Sequence, residues 1–290
     1  MANITAILLT KNEENFITHC IDSIKPIVKR IVIVDSFSDD NTVKLARQYG
    51  AEVFQHPCIN YSKQYQFAVD IAKIDTTWVL RIDADEWLTK ESSAEIENLC
   101  NKNEKTSVNG IVLRFCNNFM GKDLKHGAFY PWRKLSIYKN GKGFIEQRNM
   151  DEHIILLDGT TIKARKDSKH MCFRGLSFFT DKCNWYSTRE AMDYFENLKT
   201  NKKNADKKTR IKMSFYYKLP SGFRAWCFYV YCFYFRLGFL DGKEGKIFCF
   251  LQSYWYRFLV DAKIYEHSKM GYDFKPSGDL KSNNGRGNHD

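Results

Sequence analysis

The amino-acid sequence predicts an α/β protein: a mostly parallel, Rossmann-like sheet flanked by helices, followed by a helical, aromatic-rich C-terminal extension. Three observations carry this. The first hundred residues alternate short β-branched runs with amphipathic segments, the pattern of parallel strands joined by crossover helices. Charge divides the 290-residue chain, since residues 1–100 sum to −5 and the remainder to +16 within an overall +11. Aromatic residues, 15% of the chain, crowd into residues 215–260 beside basic ones.

Each element follows from its local pattern. Ile4 to Leu9 is apolar on both faces and reads as a buried first strand. Glu13 to Ile24 has helical spacing, and Ile31 to Val34 is a second strand. A helix from about Thr42 to Tyr49 is closed by Gly50, the residue best suited to the left-handed position after a helix. Glu52 to Phe54 is a short strand, Ser62 to Lys73 a helix, and Trp78 to Ile82 another buried strand. Right-handed crossovers then place every strand's carboxyl end on one edge, where ligands bind in such sheets. From Gly110 the period shifts to antiparallel pieces, GIVLRF and KLSIYK, with a turn at 140–143. Residues 199–212 hold seven basic residues and one acidic, which predicts a loop or a solvated helix.

Composition narrows the classes. With 43% hydrophobic residues and only five prolines, the chain has material for a packed core and is neither collagenous nor dominated by linkers. Nine cysteines without CxxC or Cys/His ligand spacing read as reduced thiols. The N-terminus lacks the basic segment and long apolar run of a secretory signal, and the longest apolar stretch, Ala225 to Phe235, falls short of the roughly 18 to 20 residues of a bilayer span. A cytoplasmic protein is expected. The basic balance raises nucleic acid as a partner, but no recognition motif appears and no nucleic acid is expected.

Chemistry gathers after the strands: Thr10 and Lys11, Asp35 and Ser36, then Asp83-Ala84-Asp85. Extended chain puts residues i and i+2 on one side, so Asp83 and Asp85 can face a hard divalent cation, Mg2+ or Mn2+, whose remaining ligands come from waters and substrate phosphates. A diphosphate substrate is the natural complement. For Asp35 and Asp83 the competing role is capping of the following turn or helix.

TAILLTKNEENFITHCIDSI, IVIVDSFSDDNTVKLARQYGA and WVLRIDADEWL together resemble the N-terminal half of family-2 glycosyltransferases, which have the GT-A fold. The Lys-Asn-Glu-Glu after Thr10, the Asp-Ser-x-Ser-x-Asp-x-Thr from Asp35 to Thr42 and a D-x-D some forty residues later match in order. The subgroup building lipopolysaccharide core or capsular glycans, including core β-1,4-glucosyltransferases, is similar. The resemblance implies that Thr10, Lys11 and Glu13 line the nucleoside pocket and that Asp35 contacts the base. Asp83, Ala84 and Asp85 would meet ribose, diphosphate and metal, with Lys63 and Gln64 as polar donor contacts. It also implies inversion and a UDP-sugar donor.

Direct displacement at an anomeric carbon needs a carboxylate to accept the acceptor hydroxyl's proton. In Met150-Asp151-Glu152-His153, which matches a D-E-H sequence of the subgroup, Asp151 or Glu152 takes that role; the choice stays open, with Glu152 favoured. The resemblance allows His153 and His170 as further metal ligands. Trp132 and Arg133 offer an acceptor platform, stacking on sugar and pairing with phosphate, against core packing for Trp132.

Tyr186 to Ala191 and Gly238 to Gly245 also resemble the subgroup and extend the likeness through the chain. The expected organisation is a catalytic domain over 1–180, with a nucleotide-sugar half (1–100) and an acceptor half (101–180). A helical basic and aromatic extension over 181–275 and a flexible tail over 276–290 follow. That extension suits an anionic membrane surface, so the enzyme is expected to be peripheral on the cytoplasmic face of the inner membrane, meeting a glycan or lipid-linked acceptor; packing on the core or on another subunit of an oligomer is the competing explanation. Two other functions are weighed. A sugar-phosphate nucleotidyltransferase would carry a Gly-rich loop where this chain has Thr10-Lys11-Asn12-Glu13, and a non-catalytic membrane-associated scaffold would have little reason to keep Asp83, Asp85, Asp151 and Glu152.

Overall fold

A computed structural model describes residues 2–57, 60–146, 152–199 and 219–271. The chain divides into two compact units, residues 1–117 with 131–171 and residues 118–130 with 172–290.

The first unit begins as a repeating β/α chain. Strands β1 (Ile4–Thr10), β2 (Arg30–Asp35), β3 (Glu52–Gln55) and β4 (Trp78–Arg81) alternate with helices α1 (Ile17–Ile24), α2 (Thr42–Gln48) and α3 (Tyr61–Ala72). All four strands run parallel in the order β3-β2-β1-β4, with Thr10 beside Asp35 and Ile7 beside Arg81. Period-2 alternation sorts their side chains between two cores. Ile4, Ala6, Leu8, Trp78 and Leu80 pack under Ile17, Cys20, Ile21 and Ile24 of α1, whereas Ile7, Val34 and Val79 pack with Tyr65 and Ala68 of α3. Both faces are covered, which is why these strands read as continuous apolar runs. Gly50 takes the predicted left-handed conformation, φ 87°.

One boundary moves. The helix expected from Glu13 starts at Ile17. Before it the chain turns, with the Phe16 and Ile17 amides both donating to the Glu13 carbonyl, and the amides of Glu13 and Glu14 donate to Thr42 Oγ1 (2.7 Å) and Asp40 Oδ2 (3.2 Å).

The next two elements after β4 had no counterpart in the sequence reading. β5 (Glu86–Trp87) is a two-residue strand, and α4 (Lys90–Asn103) opens with a capping box in which Thr89 and Ser92 satisfy each other's amides. The antiparallel half consists of β6 (Val108–Phe119), β8 (Trp132–Lys139) and β11 (Thr160–Met171), extending the sheet as β4-β8-β6-β11-β5; β7 (Lys122–Asp123) pairs only with the end of β6. Strands β9 (Gly143–Ile145) and β10 (Ile154–Leu156) form a separate hairpin. Strands β7, β9, β10 and β11 likewise had no counterpart in the sequence reading. The result is a mixed sheet, parallel in its first half, with flanking helices.

The second unit is helical. Helix α5 (Leu176–Lys199) packs on α8 (Tyr256–Met270), where Lys263 Nζ donates to Asn184, Ser187 and Thr188. Between them come α6 (Phe223–Val230), a π-helical turn at 231–235, a 3-10 turn at Gly238–Asp241, α7 (Gly242–Cys249) and a second π-helical turn at 250–255. Phe119, Phe179 and Phe248 form the centre of its core, and a buried Arg224–Asp261 ion pair ties α6 to α8. The predicted solvated stretch 199–212 lies outside the described residues beyond Lys199, as does the tail from 276.

Candidate active site

The carboxyl ends of β1, β2 and β4 meet at one edge of the sheet, and two different polar clusters form there. At β2 the central carboxylate is satisfied by neutral donors. Asp35 is fully buried; it accepts from Thr10 Oγ1 (2.9 Å), from the Ser38 amide (2.8 Å) and hydroxyl, and from Gln55 Nε2 (3.5 Å). Gln64, almost fully buried, donates to Ser36 Oγ (3.1 Å) and meets His56 Nδ1 (2.7 Å), so it braces the ends of β2 and β3. Lys63 is exposed on the first turn of α3, its amide capped by Asn60. Lys11 reaches Asp39 at 3.2 Å and the Phe37 carbonyl. Thr10, Lys11, Glu13, Asp35 and Gln64 thus line one loop system, with Lys63 at its margin.

The second cluster follows β4 and is ionic. The antiparallel register pairing Trp78 with Lys139 and Leu80 with Ile137 carries Lys134 of β8 to the level of Asp83. Lys134 Nζ lies 2.9 Å from Asp83 Oδ2 and 2.6 and 2.8 Å from the two Glu86 oxygens. Tyr61 at the start of α3 donates to Asp83 Oδ1 (2.6 Å) and accepts from Arg81 Nε (3.3 Å). Arg81 Nη1 in turn donates to the Glu152 carbonyl (2.9 Å). Burial opposes ionisation of Asp83, but Lys134 and Arg81 outweigh it and hold its carboxyl well below the usual range. Glu86 is more deeply buried; desolvation prevails over Lys134 and pushes it up to about 8, with Asp83 adding to the rise. Burial lowers Lys134, and the two carboxylates more than restore it. One ammonium serves two carboxylates, of which Asp83 carries the charge.

Asp85 points elsewhere. Its carbonyl accepts from the Met171 amide (2.8 Å), and β5 pairs with the end of β11 so that Glu86 faces His170. This brings His170 Nε2 to 3.8 Å from Asp85 Oδ2, while His170 Nδ1 is 2.8 Å from Asn117 Oδ1. A ring nitrogen donating to an amide oxygen leaves the other nitrogen's lone pair outward in the neutral ring, here toward Asp85. The His170 ring packs against Trp132, centroids 5.0 Å apart, and Lys134 Nζ lies 5.4 Å from the Trp132 ring centre.

Of the residues singled out from sequence, Asp83, Asp85, Glu152, His170 and Trp132 come together in this cluster, Glu152 through its backbone. Ala84 is buried between the two aspartates. Arg133 does not join: strand alternation sends it to the opposite face from Trp132 and Lys134, where it reaches the Ala164 carbonyl at 3.4 Å. His153 is exposed at the entry to β10, its carbonyl bonded by Glu146. Asp151 lies outside the described residues. Among the described residues no three His, Cys, Asp or Glu side chains assemble as a ligand set, since Asp83 is turned to Lys134 and Tyr61. Lys134, Glu86, Tyr61 and Arg81 were not singled out for the site from sequence. The available signal was Arg81-x-Asp83-x-x-Glu86 after an apolar strand, where buried charges demand partners.

Comparison with known proteins agrees with this architecture. The model of the family described as glycosyl transferase family 2 matches residues 5–195. An uncharacterized glycosyltransferase of Rickettsia felis is 30% identical over 92% of this chain and 90% of its own, and one of Rickettsia bellii is 29% identical over 96% and 92%. Among solved structures, glucosyl-3-phosphoglycerate synthase from Mycobacterium tuberculosis, crystallised with Mn2+, UDP and glucosyl-3-phosphoglycerate, aligns with 40% of this chain and 44% of its own at 22% identity and a TM-score of 0.33. The mixed sheet, parallel in its first half, with its flanking helices is the GT-A fold, and the chain belongs to glycosyl transferase family 2.

Proposed function

We propose that this glycosyltransferase moves a sugar with inversion from a nucleotide-diphospho-sugar, a UDP-sugar in the first instance, to a hydroxyl of a lipid-linked glycan. The acceptor class is that of lipopolysaccharide core or capsular glycans, core β-1,4-glucosyltransferases being the similar type. The acceptor is met at the cytoplasmic face of an anionic membrane, and the chain acts alone or as an oligomer. The catalytic domain is residues 1–180, with donor contacts from the first hundred residues and acceptor contacts from 101–180. Residues 181–275 form the membrane-facing extension.

The observation that carries the reading is the Asp85–His170 pair beside the Asp83–Lys134 ion pair at the carboxyl end of β4. Asp85 Oδ2 and His170 Nε2 lie 3.8 Å apart, and a carboxylate oxygen with an imidazole nitrogen is a donor set that fits Mg2+ or Mn2+. Such a cation needs only one or two protein ligands when a substrate diphosphate supplies others. Asp85 and His170 would hold it, and when bound it offsets the charge developing on the leaving diphosphate.

The chain's own residues do the rest. Thr10, Lys11, Glu13, Lys63 and Gln64 shape the nucleoside side, and Asp35, committed to Thr10 and Ser38, fixes the loop against which the base lies. Lys134 and Tyr61 hold Asp83 ionised and oriented toward the donor's ribose and diphosphate. Trp132 offers a stacking face for the acceptor sugar. Glu152, held through its carbonyl by Arg81, accepts the proton of the acceptor hydroxyl as the oxygen bonds to the anomeric carbon and the bond to the diphosphate breaks; Asp151 is the alternative base.

Thermal shift with UDP, GDP, CDP and ADP, with and without Mn2+, tests this. The expected result is stabilisation by one nucleoside diphosphate that requires Mn2+ and disappears in Asp85→Ala, at about 2.7 kcal/mol when ligand is 100-fold above Kd. No shift with any nucleotide would overturn the donor assignment and favour a scaffold role for the fold.

A further inference from the structure

The second unit carries an apolar surface that its own core does not use. Phe248 of α7 is buried with Phe119 and Phe179, but where the helical run 223–235 turns into 238–255 the apolar side chains face outward. Phe235 is 75% exposed, and Tyr234, Leu237 and Leu240, all within five residues of it in the chain, are exposed as well. A cluster of exposed apolar side chains of this kind marks an interaction site. Its backbone is unusual for a surface with no partner. Leu237 sits in the left-handed region at φ 58°, a conformation costly for a branched L side chain, and keeps 45% of its surface exposed. The runs on either side each pass through a π-helical turn, at 231–235 and 250–255, a distortion that recurs at functional sites.

The charges around this tip have one sign. Lys122, Lys125, Arg236, Lys243 and Lys246 are exposed, whereas each nearby acid is engaged: Asp123 with Asn118, Asp241 buried against His126, and Glu244 3.9 Å from Lys122. A second copy of the chain docking through the same patch would set these cations against themselves, because a two-fold interface is self-complementary. Aromatic and leucine side chains rimmed by Lys and Arg match instead the headgroup layer of an anionic bilayer. No described helix is long and apolar enough to cross a membrane, so the contact is an edge insertion.

We propose that residues 234–250 are the membrane-docking element, with Phe235, Leu237 and Leu240 entering the headgroup layer and Arg236, Lys243 and Lys246 meeting anionic headgroups. This rests on the proposed function only in supposing that the acceptor is lipid-linked; the surface contact itself does not require sugar transfer.

Flotation of the full-length protein with phosphatidylcholine vesicles, with and without 30% phosphatidylglycerol, tests it at about 50 and 500 mM NaCl. Binding is expected only to the anionic vesicles and to weaken at least tenfold at high salt. Phe235→Ser with Leu240→Ser should lower vesicle affinity tenfold or more, and Lys243→Gln with Lys246→Gln roughly twenty-five-fold, since each basic residue near an anionic surface contributes about fivefold. The replaced side chains are exposed, and an unchanged melting temperature with the same nucleotide response verifies each variant. Vesicle binding that survives both double substitutions overturns the assignment, as does no binding by the unmodified protein. A self-association abolished by Phe235→Ser with Leu240→Ser, without vesicle binding, would make a second copy the occupant and also overturn it. Loss of the nucleotide response with intact vesicle binding would strike the glycosyl-transfer reading alone.

Discussion

Two aspartates occupy equivalent places in the sheet, Asp35 at the end of β2 and Asp83 just past β4, and their surroundings differ in kind. Asp35 is enclosed by hydroxyls, one amide and a glutamine. Asp83 is held by an ammonium and a phenol, with 31% of its side chain open. A carboxylate satisfied by neutral donors fixes a loop and adds one local charge. A carboxylate paired with a lysine that also serves Glu86 belongs to a set of charges whose balance changes when a diphosphate arrives. Position at a strand's carboxyl end therefore does not assign a role; the partners do.

Removing Lys134 is the harshest way to break the comparison. Lys134→Met would take the cation from Asp83, which carries the charge, and the donor from fully buried Glu86, and a buried acceptor left without its donor costs about 1 to 3 kcal/mol for each carboxyl. The partial exposure of Asp83 makes its share the smaller. The expected outcome is a melting temperature lower by several degrees, with loss of nucleotide response; a Lys134→Met protein as stable as the parent would show that the pair does not hold the site together. Asp35→Asn is milder. It turns an acceptor-only group into one that must present an NH2 to donors already facing it, at about 1 to 3 kcal/mol. Denaturant unfolding should show that loss, and an unchanged midpoint would remove Asp35 from the loop's support.

The smallest effect is one of pH. Asp83 has a folded-state pKa depressed below its unfolded value, so the stability it contributes is present above about pH 4, the unfolded value, and is lost as pH falls toward the folded one. Unfolding midpoints measured between pH 6 and 3 should therefore fall less steeply in Asp83→Asn than in the parent. Parallel curves would mean that the Lys134 pair does not favour the ionised form.

Much of the parallel half was legible in sequence because its information is local. Continuous apolar runs identify β1, β2 and β4, and Gly50 marks the end of α2. In the antiparallel half β6 and β8 were legible as strands but not as partners, and β11 was not legible. Nothing near Asp83 in sequence announces that Lys134, fifty-one residues on, will lie against it, because that contact depends on β8 being inserted beside β4. Nor does a lone His170 reveal that β5 and β11 pair to bring it to Asp85. Trp132 and Arg133 were treated as one platform, although adjacent residues of a strand face opposite ways.

The alternation of β8 constrains how this chain can vary. Its even-numbered residues Trp132 and Lys134 serve the cluster, and odd-numbered Arg133 faces away. Loss or gain of a single codon between Trp132 and Lys134 would carry the lysine to the other face, so one small deletion would dismantle the charge set without altering any residue in it. Farther along, opposite Ile111 and Val112, β8 shifts register between Leu135 and Ile137, and strict alternation does not carry through. Length polymorphism is therefore expected to accumulate between strands, as in the turn at 140–143, and to be purged from residues 132–134.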